Sequence, residues 1–530
     1  MPPGMDIRCI KLSRFGIILN NRRQYLIVGL IAVANALLHL LPGVHFEYHR
    51  DELLYFSLCN HLDFGYATTP PFVGLVAFIS KSIFGYSVFA VRFFPAVTSG
   101  LLVILTAMMA KELNGNFRSQ LIAALGVTGS MLLVLLYGIF TPYFFDVFFW
   151  TLIILLVIKY VKTNEGKYLV HAGIVIGLSI LNKYNVLFLL TAILLVIPFT
   201  RHRSVFGTKH FYYGMFLAAL IALPNIIWQA VHNFPVIGHM KELKETQLVN
   251  VSRIEFIVEQ LVYLLPYSFV ILPGIVFFVV GKQLREYRFL LAISGVVFLM
   301  LLVLNGKSFY ASGFFPFLIV VGALFVEKCV VNRYWFSAVL IVLVLFSALM
   351  LPMALPVLKP DQMVVYYERF AGVTGIDLLR KDEDGKYRKL PQINADMLGW
   401  SEMTEIVNKG WIGVEHKERS FIFCANYGQA GAISVIGKRF GLPEPVSFSD
   451  SYRLWLPRKF QNEIDELIYV IGEDALGSGN FEDTKAFFEQ ITEVGRVSNP
   501  YAIEYNTRVY LFSKPKGNFN DFWKGQIKGY

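Results

Sequence analysis

Apolar residues run in long, nearly unbroken stretches through the first two thirds of the chain, and polar residues gather in short gaps between them. A transmembrane helix needs about 20 consecutive, mostly apolar residues. The pattern predicts eleven spans, of which the fifth and sixth are the shortest. They lie at 24–42, 87–110, 119–139, 144–161, 169–182, 185–199, 211–231, 257–280, 289–305, 311–328 and 335–356.

Two apolar stretches need a separate interpretation. Residues 71–84 are too short to cross a membrane, so we predict an interfacial or re-entrant segment there. Residues 24–42 could instead be a cleaved signal peptide, but the stretch is long for one and Leu41-Pro42-Gly43 is a poor cleavage site. We therefore predict an uncleaved first helix.

The basic residues give the spans a direction, because cytoplasmic loops of membrane proteins carry an excess of lysine and arginine. If the N-terminal segment is cytoplasmic, every second loop should be basic, and each one is. The basic groups are Arg8, Lys11, Arg14, Arg22 and Arg23; Lys111 and Arg118; Lys159, Lys162 and Lys167; Arg201, Arg203 and Lys209; Lys282, Arg285 and Arg288; Lys328 and Arg333. The pattern predicts a cytoplasmic N-terminus and an extracytoplasmic C-terminal segment, which in a bacterial inner membrane is periplasmic.

After Pro356 the pattern becomes that of a water-soluble α/β domain. Charged residues reach an ordinary density, and short apolar runs alternate with glycine and proline. The predicted elements are a strand at 420–425, a turn at 426–428 followed by a helix, strands at 466–472 and 507–513, and a helix near 483–493. The predicted domains are a polytopic α-helical membrane domain over 1–356 and an extracytoplasmic soluble domain over 357–530.

Composition and charge narrow the class of protein. Hydrophobic residues make up 55% of the chain and charged residues only 16%, whereas soluble domains carry about 25% charged residues. The net charge of +10 does not indicate nucleic-acid binding, because most basic residues before position 340 lie in the short loops. The four cysteines have no spacing typical of a disulfide framework or a zinc site: Cys9, Cys59, Cys329 and Cys424.

The first outward loop, roughly 43–86, is long, and long loops in compact proteins are usually functional. It opens with His49-Arg50-Asp51-Glu52 and continues with HLDFGYATTPP from His61. Residues 51–60 have helical spacing and are predicted to lie along the membrane surface. Asp51 and Glu52 are candidate catalytic carboxylates, although acidic residues are also favoured at helix N-termini on electrostatic grounds alone.

Asp146 is a third candidate carboxylate. It lies in an otherwise apolar and aromatic segment, at the predicted outer end of the fourth span. A carboxylate in such a setting is costly unless it is paired or reaches water. The alternative is an aspartate that extends from an aromatic belt to solvent. Because Asp51 emerges on the same side, a shared outer pocket is plausible.

Two lysines lie at predicted outward turns, Lys183 in Asn182-Lys183-Tyr184-Asn185 and Lys307 in the turn from Asn305 to Tyr310. Lysine at a helix end is most often a lipid-headgroup anchor. The outward turns are otherwise poor in such charges, however, and cations near acidic residues suit a phosphate-bearing substrate. These two lysines, with Arg50, are therefore candidates for binding a donor phosphate.

The segment PNIIWQAVHNFP, Pro224–Pro235, ends the seventh span and precedes an outward stretch that could close over a substrate. Aromatic and histidine side chains near the charged candidates could line the pocket. These are Tyr55, Tyr66, Tyr143, Tyr184, Tyr310 and His232.

In their order and sidedness, these motifs resemble glycosyltransferase family 39, the protein O-mannosyltransferase-like group of the GT-C superfamily. The chain is also similar to the lipid A aminoarabinose transferases. The resemblance rests on His49–Glu52, HLDFGYATTPP, Asp146, the Asn-Lys-Tyr turn, PNIIWQAVHNFP and the Gly306–Tyr310 turn, and it covers about residues 20–350. It implies a GT-C-like fold and transfer of a sugar from a polyprenyl-phosphate donor to an acceptor on the non-cytoplasmic face.

The resemblance also implies roles for particular residues. Asp51 would be the principal catalytic carboxylate, with Glu52 beside it and Asp146 as the second essential acid. A positioned carboxylate can accept the proton of an attacking acceptor hydroxyl. The phosphate leaving group needs cations, which Lys183, Lys307 and Arg50 could supply. Inversion at the anomeric carbon is implied, and some relatives bind a divalent metal near these acids, for which the sequence gives no ligand set.

Two other classes of protein remain open at this point. A lipid or solute transporter or flippase usually has ionisable residues near the bilayer midplane and often inverted repeats, neither of which is evident here. A structural or sensor protein with an external domain would need neither the acid pair nor the outward lysines. The sugar, the lipid length and the acceptor, whether protein, lipid A or glycan, are not defined by the sequence.

Overall fold

The computed structural model describes residues 7–40 and 45–529. The end of the predicted first span, the Leu41-Pro42-Gly43 segment and the start of the predicted loop at 43–44 lie outside the described residues. In the described part, seven helices are long and apolar enough to cross a membrane. The number rises to ten if each of three sharply bent helix pairs is one span. The predicted number of eleven spans therefore stays a prediction.

Within residues 7–40 and 45–354, the regular secondary structure consists of helices. The helices are α1 Ile7–Leu40, α2 Arg50–Ser57, α3 Phe72–Phe84, α4 Val88–Glu112, α5 Phe117–Gly129, α6 Met131–Tyr137, α7 Pro142–Thr163, α8 Lys167–Asn182, α9 Val186–Val196, α10 Lys209–Val231, α11 Pro235–Thr246, α12 Arg253–Tyr263, α13 Ser268–Val280, α14 Arg288–Val303, α15 Phe315–Cys329 and α16 Arg333–Ala354. Short 3-10 turns, among them Ser308–Phe314, connect several of them.

Each predicted span coincides with helical structure, but some spans are not straight. The predicted span 257–280 is two helices, α12 and α13, which meet at 99°. Pro266 lies in the break, and proline has no amide N–H with which to continue a helix. The predicted span 119–139 is likewise bent by 60° between α5 and α6. The predicted interfacial segment 71–84 is the 13-residue helix α3.

The basic loops lie together at one end of the helical part, which we call the basic end. Lys111 Nζ donates to Tyr25 Oη at 2.6 Å, and Lys162 Nζ lies 3.0 Å from a carboxylate oxygen of Glu112. Arg118 similarly donates to the Val331 carbonyl at 2.9 Å. Asp51, Asp146, Lys183 and Lys307, from the start of α2, the start of α7 and the turns after α8 and α14, interact with one another, and we call this region the site end. This grouping matches the alternation of basic loops in the sequence.

The C-terminal third contains a four-stranded sheet and further helices. Its elements are α17 Pro360–Thr374, α18 Gln392–Ala395, α19 Trp400–Ile412, β1 Ser420–Cys424, α20 Tyr427–Val435, β2 Glu466–Ile471, α21 Gly479–Phe487, β3 Phe488–Arg496, β4 Arg508–Pro515 and α22 Phe519–Gln526. The strand order is β1-β2-β4-β3. β1 and β2 are parallel, whereas β4 is antiparallel to both of its neighbours.

The three predicted strands are present as β1, β2 and β4, and the helix predicted after Asn426 is α20. The helix predicted near 483–493 is wrong from Phe488 onward, where the chain forms β3. Ile491, Thr492 and Val494 are β-branched residues, which favour strands, and this segment pairs with β4 along most of its length.

The C-terminal third packs directly on the start of the first outward loop, because α20 lies against α2. A Cβ atom on Gly431 would come within 2.8 Å of the Leu53 carbonyl carbon, so only glycine permits this approach. Tyr452 adds two hydrogen bonds of 2.9 Å, to Ser57 on α2 and Ser434 on α20. The loop that carries the candidate acids is thus held between the two parts of the chain.

Candidate functional site

The first turn of α2 is capped by residues other than Asp51. His49 is the N-cap residue, and its Nδ1 accepts a hydrogen bond of 3.1 Å from the Asp51 amide. Glu52 completes the capping box by accepting from the His49 amide at 2.9 Å. The carboxylate of Asp51 is therefore not needed to cap the helix.

Glu52 is fully buried and paired. Arg92 on α4 approaches both carboxylate oxygens, with Nε and Nη2 each 3.2 Å away. The Phe140 amide donates a third bond of 3.0 Å, in addition to the one from His49. Glu52 thereby ties α2 to α4 and to the connection between α6 and α7. A buried carboxylate with this many partners has the environment of a structural ion pair.

Asp51 contacts the C-terminal third of the chain. The hydroxyl of Tyr427, in the first turn of α20, donates to Asp51 Oδ1 at 3.0 Å. The same hydroxyl accepts from Arg50 Nε at 2.9 Å and Nη2 at 2.7 Å. Arg50 also lies 3.9 Å from the buried carboxylate of Asp396. Arg50, Asp51, Tyr427 and Asp396 form one charged and hydrogen-bonded cluster.

Asp146 is buried in the first turns of α7, which begins at Pro142. Its Oδ2 accepts a hydrogen bond of 2.7 Å from the amide of Asn185, and that amide also donates to the Tyr310 carbonyl at 3.1 Å. Within the described residues Oδ1 is buried without a hydrogen-bond partner. Trp150, one turn further along α7, also interacts with this carboxylate.

Lys183 lies among aromatic rings at the turn between α8 and α9. Its ammonium is 3.6 Å from the centroid of the Tyr143 ring and 5.6 Å from that of Tyr310, distances typical of cation–π interactions. The two rings are nearly parallel, with centroids 6.0 Å apart. The charge of Lys183 also interacts at longer range with Asp146, Asp51 and Lys307. These residues therefore share one electrostatic environment at the site end.

Lys307 lies in the turn after α14 and already has partners. Its ammonium donates to Gln247 Oε1 at 2.6 Å and forms an ion pair with Glu383, which follows α17. Burial opposes its charge, but Glu383 outweighs this and raises the pKa of Lys307. The lysine is thus a cation whose charge is largely balanced by an acidic residue.

The other pocket candidates divide into two groups. Tyr55, one turn after Asp51, interacts electrostatically with Asp51 and Tyr310 and belongs to the site. Tyr66 is buried under the loop, with its hydroxyl 3.4 Å from the Leu58 carbonyl. The structure does not bring Tyr66 to the charged residues.

Tyr184 and His232 belong to the surroundings of α10. Tyr184 donates to Asn225 at 2.6 Å, and Asn225 donates in turn to the Phe64 carbonyl of the first loop at 2.7 Å. His232 is exposed and stacks on Trp228, with ring centroids 4.0 Å apart. The PNIIWQAVHNFP segment therefore holds the first loop in place, and the structure does not bring His232 to the charged residues.

Several site residues were not identified from the sequence. Arg92 carried a usable signal, because a charge inside a predicted span requires a partner. Asn185 lies two residues after the candidate Lys183, in the same turn. Tyr427 and Asp396 carried no local signal, because they reach Asp51 and Arg50 only through the packing of the C-terminal third.

The structure identifies no ligand set for a divalent metal among the described residues. Over 7–40 and 45–529, no group of three or more His, Cys, Asp or Glu side chains is arranged to hold a metal ion. The carboxylates of Glu52 and Asp396 are directed to Arg92 and Arg50. We therefore assign no step of a reaction to a metal.

Comparison with protein families finds a match to a glycosyltransferase family. Residues 68–228 match the family described as dolichyl-phosphate-mannose-protein mannosyltransferase, which confirms the resemblance read from the sequence over this part of the chain. A comparison with curated protein sequences finds no match.

Comparison with solved structures identifies the fold. The chain is similar to ArnT from Cupriavidus metallidurans in the apo state, with a TM-score of 0.62 and 14% identity over 94% of this chain and 98% of that one. It is also similar to the same protein bound to undecaprenyl phosphate, with a TM-score of 0.60 and 13% identity over 91% and 97%. The protein thus has the ArnT fold, a polytopic membrane architecture that includes a C-terminal sheet.

Proposed function

We propose that this protein is a membrane glycosyltransferase that moves a sugar from a polyprenyl-phosphate-linked donor to an acceptor hydroxyl or phosphate on the extracytoplasmic face. The family match over residues 68–228 and the ArnT fold support the reaction class. The strongest structural support for the proposal is the cluster of charged residues at the site end. There the Asp51 carboxylate interacts electrostatically with the ammonium groups of Lys183 and Lys307.

In the proposed reaction, the acceptor hydroxyl attacks the anomeric carbon of the donor sugar. Asp51 takes the hydroxyl proton as the new C–O bond forms. The bond between the anomeric carbon and the phosphate oxygen breaks, and the electron pair leaves with the polyprenyl phosphate. A single displacement of this kind inverts the anomeric configuration.

The leaving phosphate gains negative charge, and preorganised cations stabilise that charge most effectively where water is excluded. We assign this role first to Lys183, whose partners are aromatic rings and which forms no ion pair within the described residues. Lys307 and Arg50 contribute less, because Glu383 and Asp396 already balance their charges. Asp146 acts as the second essential acid by holding Asn185 and the Lys183 turn.

The reaction class is tested with purified protein in detergent. The wild-type protein is mixed with undecaprenyl-phosphate and dolichyl-phosphate monosaccharides and with protein, lipid A and glycan acceptors, and products are identified by mass spectrometry. A glycosylated acceptor and free polyprenyl phosphate are expected. A transporter would give no product, since detergent leaves no compartment to transport across.

Lys183→Met should lower donor use by a factor of about 10²–10³, because it removes a cation that forms no close ion pair within the described residues. Lys307→Met should have a smaller effect in the same direction. Donor and acceptor KM and kcat are measured for both variants, with Lys209→Met, an exposed lysine at the basic end, as the control. Unchanged donor kinetics in both site variants would make these lysines simple interface anchors.

The site end and the tail 357–530 should share the extracytoplasmic face. Cysteines introduced at Asp63 and Ser478, both exposed, should react with a membrane-impermeant maleimide in intact cells or spheroplasts. The native Cys329 is exposed at the end of α15, at the basic end, and should react only after permeabilisation. Labelling of only one of the two introduced cysteines in intact cells would contradict this topology.

A further inference from the structure

One side chain of the C-terminal third, Tyr427, contacts the proposed base, Asp51, directly. Tyr427 begins α20 immediately after β1, and Asn426 caps this helix with a hydrogen bond from the Gln429 amide. At the next position, a Cβ on Gly428 would lie 2.6 Å from Arg50 Cγ. The helix can therefore approach α2 closely enough for the Tyr427 hydroxyl to reach between Arg50 and Asp51.

The direction of these hydrogen bonds is fixed by chemistry. A guanidinium group can only donate, so the Tyr427 oxygen accepts both bonds from Arg50. The single hydroxyl proton is then donated to Asp51 Oδ1, which is 3.0 Å away. Burial raises the pKa of Tyr427 well above its usual range, which keeps this proton on the hydroxyl at neutral pH.

We propose that Tyr427 is a positioning residue that orients the Asp51 carboxylate for proton transfer, which rests on the proposed function of Asp51 as the base. With Oδ1 held by Tyr427, the other oxygen, Oδ2, faces the acceptor hydroxyl. Arg50 in turn holds the Tyr427 oxygen, so the relay runs from Arg50 through Tyr427 to Asp51. The C-terminal third thus completes the active site in addition to covering it.

If Tyr427 only stabilised the contact between α2 and α20, another tyrosine at this contact, Tyr452, should matter equally. Tyr452 joins the same two helices through Ser57 and Ser434, and its hydroxyl is bonded to neither Asp51 nor Arg50. Tyr452→Phe therefore removes interface hydrogen bonds without changing the partner of the base. It is the matched control for Tyr427→Phe.

Tyr427→Phe keeps the ring and the helix packing and removes only the hydroxyl. We expect kcat to fall by a factor of about 10–100, because a small misorientation of a catalytic group has effects of this size. The donor KM should stay close to the wild-type value, and Tyr452→Phe should retain kcat. A similar loss of kcat in both variants, or no loss in Tyr427→Phe, would overturn the proposal.

A second measurement does not depend on transfer activity. Purified full-length wild type and both variants are treated with a water-soluble carbodiimide and glycine ethyl ester, and modification of Asp51 is quantified by peptide mass spectrometry. Loss of the Tyr427 bond should increase labelling of Asp51 several-fold, while Tyr452→Phe leaves it unchanged. Equal labelling of Asp51 in wild type and Tyr427→Phe would overturn the proposal. Absence of transfer by the wild type would instead count against the glycosyltransferase assignment.

Discussion

Asp51→Asn should lower the rate of sugar transfer by a factor of about 10²–10⁴ and leave the protein folded and able to bind donor lipid. Asparagine has nearly the same size and can still accept the hydrogen bond from Tyr427, but it cannot take the acceptor proton. Transfer is measured with a polyprenyl-phosphate sugar, and donor binding by the thermal stabilisation that undecaprenyl phosphate produces.

The control for this variant is Asp63→Asn. Asp63 is on the same loop but is exposed, and its carboxylate accepts a local hydrogen bond of 2.7 Å from the Phe64 amide. It should retain transfer. If Asp51→Asn also retained near-normal transfer, Asp51 would not be the base, and Glu52 or Asp146 would have to be examined instead. Capping would not explain such a result, since His49 and Glu52 cap α2.

The membrane-spanning helices could be predicted because the lipid bilayer imposes a recognisable pattern of apolar residues on the sequence. Lipid requires every backbone group to be satisfied within a helix, so long apolar runs indicate the spans directly. The bend between α12 and α13 was harder to predict from the sequence. Pro266 marks its position, but the residues on both sides of it are equally apolar. The number of spans depends on how such breaks lie relative to the membrane.

The site was predictable only where its residues stand out from an apolar background. Asp51, Asp146, Lys183 and Lys307 could be chosen as candidates because charged groups next to apolar spans are costly unless they are paired or reach water. Their partners were harder to predict. Tyr427 lies 376 positions from Asp51, and nothing in its local sequence distinguishes it from a tyrosine that packs in a core.

The secondary structure of the C-terminal third was also hard to predict where it depends on contacts between distant residues. Residues 488–493 were predicted as a helix because local periodicity was the only guide. Their pairing with β4 decides the outcome, and strand propensity depends strongly on such neighbours. By contrast, β1 and β2 are buried along almost their whole length, and their apolar runs made them visible in the sequence.

Glu52 has two candidate roles, one in the reaction and one in the structure. As a neighbour of Asp51 it was a candidate acid for the reaction. Its position, fully buried between Arg92, His49 and Phe140, suggests that it fixes the start of α2 instead. The two roles predict different results when Arg92 is changed.

Arg92→Met should destabilise the protein by about 3–5 kcal/mol, because it leaves the Glu52 carboxylate buried without its cation. Combining it with Glu52→Gln should restore part of this loss, because the side chain then carries no buried charge. The restoration is incomplete, since the single amide oxygen can accept from only one of the His49 and Phe140 amides, which donate to different oxygens of the carboxylate. Lys162→Met, which breaks the half-exposed pair with Glu112 at the basic end, should cost less than about 1 kcal/mol. Unfolding is followed in detergent by tryptophan fluorescence during heating. If Arg92→Met were as stable as Lys162→Met and yet transferred no sugar, Glu52 would act in the chemistry and not as the anchor of α2.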